Sequence, residues 1–381
     1  MNFKKIKVFA ASLIMLYVIL FSSGCWDALD LNERSIVTTV LLDYNEDKII
    51  FYIEMANPDK ATTNGSGGGS EDKYLVVKSV GKDFVEARNN ANEKMDKPVY
   101  LSAVRSIVMT ERFAKLHFIE YLHRFRSDEN YRKKIDTVIT RDEPEELLKI
   151  TKEKKQSLGF VTEDIIETLE EQGKSFKRTT MRLLENISAK YTGMLIPCMG
   201  ISEEEIALVG YSVVNNNKVD GFLPVEEIEG MILLKAEKVK TNYRLHYNDM
   251  NMTVKVTQKK RTIKANYDNE QISMDVNMEY KAELLYGDKK EPYNFQEEDA
   301  KALGELLKER IKEELAEAIG RSQTEFNCDY YQFDDEFRIK YPIEFDRMDW
   351  YEEYPKIKFN YNIKVKLGTV WIMDYSNDEA K

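Results

Sequence analysis

The chain is poor in the residues that most often do chemistry. Its 381 residues hold three cysteines and three histidines. Three cysteines exclude a disulfide scaffold and a four-cysteine zinc site. His117 and His123 stand six apart, about 240° around a helix, so they cannot face one metal together. His246 lacks an acidic or cysteine partner at ligand spacing. Positive charge is short too, with 56 Lys plus Arg against 67 Asp plus Glu and a formal charge of −11. That balance argues against a nucleic-acid binder, which would need a basic face to track phosphates. Glycine-rich phosphate loops, G-x-S-x-G elbows and H-E-x-x-H helices are missing, and Cys198 has no histidine near it in sequence. No catalytic, cofactor or metal site is nominated, and no enzymatic activity is expected.

Long apolar runs are scarce, with one exception at the N-terminus. Lys4, Lys5 and Lys7 precede the uncharged stretch from Val8 to Phe21, and Ser22-Ser23-Gly24-Cys25 follows. A basic head, a short apolar run and small residues make a secretory signal. A cysteine directly after the small residues resembles the bacterial lipobox, in which that cysteine receives a diacylglyceryl group. Ser22 stands where the usual pattern has leucine. The competing reading is an uncleaved anchor, since residues 8–24 reach the lower limit of a membrane span. Both readings keep the lysines in the cytoplasm and export the rest. Residues 1–24 are therefore expected to be removed at Cys25, the lipid attachment site. Cys198 and Cys328 remain, either as a pair or as two buried thiols.

The rest of the chain, 43% hydrophobic and 32% charged overall, is that of a folded protein of two or three domains. Ser35–Leu42 and Lys48–Met55 predict a hairpin over the turn Tyr44–Asp47. Residues 57–73, with a Gly/Ser run inside, predict a flexible loop. Strands over 74–80, 104–110 and 135–140 alternate with helical periodicity from Phe84, from Phe113 and after Pro144, a rhythm that puts helices on a sheet. Gly193 and Pro197 break the pattern, so a boundary is expected between an N-terminal α/β region, 25–193, and a C-terminal α+β region, 205–372. In the second region a hairpin turns at Asn215–Asn217. Ile272 to Leu284 and Ile357 to Leu367 alternate apolar with polar residues, each a strand with one wet face. A long helix over 295–321, with Asn294 as its cap, lies between them. The fold class is α+β, multi-domain, with mixed or antiparallel sheets flanked by helices.

Ten aromatics fall between Phe326 and Tyr354 among many acids. They either close the open end of the core under the long helix or form a ligand or partner surface, for which Trp350, Tyr351 and Tyr354 are the candidates.

Gly24-Cys25-Trp26-Asp27, followed by Asn32-Glu33-Arg34-Ser35-Ile36-Val37, resembles the start of the Ger(x)C spore germination lipoproteins, the C subunits of nutrient germinant receptors. The resemblance continues through Asn57-Pro58, Gly81 with Ala87, Glu111-Arg112-Phe113-Ala114, Gly210 to Gly221-Phe222-Leu223, Glu226 to Gly230 and Gly368. Ala103 departs from it, standing where the family has histidine. The resemblance implies a three-domain mixed α/β protein, each domain a sheet with helices. It implies a diacylglyceryl anchor on the outer face of the inner spore membrane. It also implies two integral-membrane partners, the A and B subunits of one receptor, and a non-enzymatic part in the response to nutrients. The alternative is an extracytoplasmic lipoprotein that captures a solute or wall fragment on the aromatic, acidic stretch.

Overall fold

A computed structural model describes Met15 and residues 33–57, 72–128, 130–132, 134–187, 191, 193–288 and 296–368. The signal segment, Cys25, most of the 57–73 loop and Asn294 lie outside the described residues.

The first sheet begins with β1 (Ser35–Asn45), β2 (Lys48–Ala56) and β3 (Tyr74–Gly81). It continues with β4 (Val99–Tyr100), β5 (Ser106–Thr110), β6 (Asp136–Thr140), β7 (Gly193–Ser202), β8 (Glu205–Asn215) and β9 (Lys218–Pro224). Its order is β3-β2-β1-β5-β6-β7-β8-β9, with β4 beside the start of β1. β1, β5, β6 and β7 run parallel, and antiparallel hairpins extend both ends. β5 and β6 are buried along their whole length, as expected of strands covered on both faces.

Helices α1 (Phe84–Asn92), α2 (Glu111–Ser127) and α5 (Thr180–Ile187) supply Phe84, Phe113, Phe118 and Leu183 to a core on one face. Helices α3 (Pro144–Glu153), α4 (Leu158–Glu171) and α6 (Glu229–Lys235) supply Leu147, Leu158, Ile166 and Met231 to a core that includes the other face. Asp83 caps α1 by accepting from the backbone N–H groups of Val85 and Glu86. Glu143 takes the cap position of α3, ahead of Pro144. Asp142, one residue earlier, instead accepts from Ile201 N at 2.8 Å.

The second sheet has the order β10-β11-β12-β13. Its strands are β10 (Lys240–Tyr247), β11 (Met250–Asp268), β12 (Gln271–Gly287) and β13 (Lys358–Leu367), the last pairing parallel with β12. Helix α7 (Glu297–Thr324) lies over its inner face. Gln296 and Asp299 close a capping box at its start. Three short helices follow, α8 (Phe333–Lys340), α9 (Pro342–Arg347) and α10 (Trp350–Glu353).

The mixed α+β class is observed, and the described residues form two helix-flanked sheets. The stretch 193–205 does not divide them. β7 occupies it and pairs with β8 from Gly193 opposite Asn215 to Ser202 opposite Glu205, so β8 and β9 belong to the first sheet. One apolar cluster then joins the sheets, running from Leu147 and Leu158 through Tyr211 and Met231 to Val276, Leu315 and Trp350. Ile311 and Leu315 both project from α7 into it and are fully buried.

Gly230 marks where α6 meets α7. A Cβ there would stand 2.0 Å from the Glu314 carbonyl oxygen, a separation that no side chain tolerates without backbone movement. Gly230→Ala is expected to cost about 1–3 kcal/mol through overpacking. An unchanged urea midpoint would refute the close approach.

Candidate functional site

The residues singled out for chemistry do not converge. His117 sits on α2 with Nδ1 3.1 Å from Glu120 and its ring against Tyr44 and Phe113, while His123 is exposed. His246 lies on β10, in the other sheet. Among the described residues no group of three His, Cys, Asp or Glu side chains could hold a metal ion. Cys198 and Cys328 are both free and buried, two separate thiols rather than a pair. Burial pushes the Cys198 thiol up to about 12, far from the range of a nucleophile.

The aromatic stretch is a core, not a surface. Trp350 and Tyr354 are each 1% exposed, which corrects the reading of both as parts of a docking face. Tyr351 is half-buried, with its ring 5.1 Å from that of Tyr191. The organising group is Asp329, a carboxylate that accepts from Phe333 N at 3.1 Å, Asp334 N at 2.8 Å and Trp350 Nε1 at 2.9 Å. These bonds fix the start of α8 and the indole of α10 to one point. Phe337 and Phe345 pack against the indole at ring distances of 5.5 and 5.7 Å. The Tyr354 hydroxyl meets Ser322 on α7 at 2.5 Å. Gly193 allows the first sheet to approach this centre, since a Cβ there would lie 2.5 Å from the Asp329 carbonyl oxygen. The residue read as breaking the pattern is thus a close backbone contact.

A sizeable concavity lies elsewhere among the described residues. Between α1, α2 and the β1–β2 hairpin is an open cleft of about 1050 Å³. Leu42, Phe51, Phe84 and Tyr121 give it an apolar lining, and Arg88 and Arg124 stand among the residues around it. Arg88 pairs with Asp128 at 2.8 Å, and Arg124 lies over the Phe84 ring at 4.8 Å. The Tyr121 hydroxyl is buried without a hydrogen-bond partner among the described residues, and burial pushes its pKa well above the ordinary value. An apolar lining with a few polar groups suits a small ligand. Sequence reasoning missed this cleft, because its walls come from two helices and a hairpin with no shared motif.

Comparison with known proteins finds likeness along nearly the whole chain. Residues 27–201 match the family model described as spore germination protein N-terminal domain, and residues 209–370 match spore germination B3/GerAC like, C-terminal. Spore germination protein KC of Bacillus subtilis (strain 168) is 25% identical over 114 residues, 29% of this chain and 28% of that relative. Spore germination protein B3 of the same organism is 21% identical over 374 residues, covering 94% of this chain and 97% of the relative. The crystal structure of the GerBC protein matches with a TM-score of 0.53 at 16% identity, over 87% of this chain and 97% of that one. At that identity the structural likeness concerns the fold.

Proposed function

The chain belongs to the GerAC-like family of spore germination proteins, and on that premise we propose that it is the lipid-anchored, non-enzymatic C subunit of a nutrient germinant receptor. The observation that carries this reading is the pair of family models, which follow one another in order across both sheets. A role in spore germination follows from the family. The finer reading adds the partners, which are the integral-membrane A and B subunits of the same receptor. It also adds the place, the outer face of the inner spore membrane. The subunit acts by contacting its partners differently in their resting and signalling states, since only such a difference shifts their equilibrium. Attachment through Cys25 raises its effective concentration beside them.

Two experiments test this. Spores lacking only this chain are expected to lose the response to some nutrients while still germinating with calcium dipicolinate. Normal responses to every nutrient, in a strain stripped of sibling receptors, would reject the receptor role. Cys25→Ala is expected to release the protein from the membrane fraction and weaken the nutrient response. A variant that stays membrane-bound and fully active would reject the tether.

The cleft beside Tyr121 favours one further reading, capture of a small solute. A rise in melting temperature on adding a nutrient, abolished by a substitution in the cleft, would support it. Flat melting curves across a nutrient panel would dispose of it.

A further inference from the structure

The second sheet has one face under α7 and α6 and one face in water. On the wet face, strand register places side chains from all four strands side by side. Its bases are Lys358, Lys364 and Lys366 on β13, Lys281 on β12, Lys255, Lys260 and Lys264 on β11, and Lys240 and Arg244 on β10. Its acids are Asp275, Glu279 and Glu283 on β12 and Asp268 at the end of β11. Nine bases against four acids stand on one face of a chain whose formal charge is −11. The opposite side compensates, since α7 carries eight acids to five bases over Glu297–Thr324.

The bases are only partly neutralised within the molecule: Lys264 stands opposite Asp275, Lys260 and Lys364 opposite Glu279, and Lys255 opposite Glu283. Lys281 pairs with Glu283 at 2.6 Å, and among the described residues none of the other eight forms a salt bridge. Asparagine side chains brace the surface between them: Asn266 and Asn360 donate to Asp275 at 2.9 Å each, and Asn362 donates to Asn277 at 3.0 Å. From these observations we infer that the wet face of the second sheet docks on a bilayer surface rich in anionic phospholipid headgroups.

Three features favour this occupant. Eight of the nine bases are lysines, flexible point charges that suit a fluid array of phosphates better than one fixed bidentate partner. They are spread over a broad sheet face rather than gathered in a pocket, and a lipid surface attracts such charges together. Along the rows that run from Lys358 to Lys366, the face carries no Phe, Tyr or Trp on which nucleic-acid bases could stack. The inference goes beyond the receptor reading and does not require acylation of Cys25.

The test is a lysine-acylation footprint of the full chain, reconstituted in vesicles of phosphatidylcholine alone or of phosphatidylcholine with phosphatidylglycerol. Lys264, Lys364 and Lys366 are expected to react several-fold more slowly in the anionic vesicles. The protection should vanish when salt shortens the Debye length to about 3 Å. Lys301 and Lys308 on α7 serve as controls and should react alike in both. The double variant Lys264→Glu, Lys364→Glu changes two exposed positions and is expected to abolish the protection of Lys366. Equal reactivity in the two vesicles, or protection that survives high salt or the double variant, would overturn the inference. So would a face left unprotected on anionic vesicles yet protected in spore membranes, because an acidic protein partner would then be its occupant. The footprint is read without germination, so its failure would leave the receptor reading standing.

Discussion

Trp350→Ala is expected to lower the stability of the protein by about 3–5 kcal/mol, the range for truncating a large buried aromatic. The loss has two sources. Phe337, Phe345 and Tyr354 lose the ring they pack against, and Asp329 loses its indole donor. Trp350→Phe separates them, because it keeps most of the apolar volume and removes only the hydrogen bond. Its cost should be smaller, about 1–3 kcal/mol for a buried carboxylate short of one donor. Urea unfolding of both variants reads these differences. A cost below about 1 kcal/mol for the alanine variant, typical of surface changes, would return Trp350 to the role of an exposed docking residue.

Stability should also fall as pH rises from about 4 to about 8, and Asp334→Asn should remove that part of the slope. Asp334 is buried next to Asp329. Burial, and then the neighbouring charge of Asp329, push the Asp334 carboxyl up to about 8, with Asp335 adding to the rise and Arg338 opposing it. Burial pushes Asp329 up as well, but three donors hold its negative charge, so of the two carboxyls Asp334 is the one that keeps its proton. The folded-state pKa lies above the unfolded value of about 3.9. The stabilising contribution is therefore complete below about pH 4 and is lost as pH rises through about 8. The slope has an upper bound of about 1.4 kcal/mol per pH unit for one proton. Asparagine cannot ionise, so the variant should be more stable than the parent near pH 8 and close to it near about pH 4. Parallel stability curves for the two proteins across that range would refute the assignment.

The elements that could be read from the sequence are those whose two faces differ. β12 and β13 alternate apolar with polar residues because one face meets the core and the other meets water. β11 begins with the same alternation at Met250, Met252, Val254 and Val256, but an irregularity between Gln258 and Lys260 shifts its register. It and β10 escaped notice. β7 was concealed by Gly193 and Pro197, which usually end strands. Its ladder to β6 is reduced to one pair, Ile139 with Cys198, so a residue without an N–H is tolerated beside it.

The candidate site was less legible, for a related reason. An aromatic run reads the same whether its rings face solvent or one another. What buried Trp350 and Tyr354 was a carboxylate 21 positions before the tryptophan and a serine on α7, neither of which has a local signature. The charge count misled in the opposite sense. A total of −11 held no hint of a basic sheet face, because a sum over the chain discards position.

The sequence by itself determined the family, the mixed α+β class, the β1–β2 and β8–β9 hairpins and the exposed sheet face of each alternating strand. Those features depend on periodicity and residue order, which are local. Only the tertiary structure decided that one core joins the two sheets, that Asp329 gathers the aromatics around it, and that nine bases share one face. Each depends on which distant segments meet. Strand register and helix packing set those meetings, through long-range contacts that no short window of sequence contains.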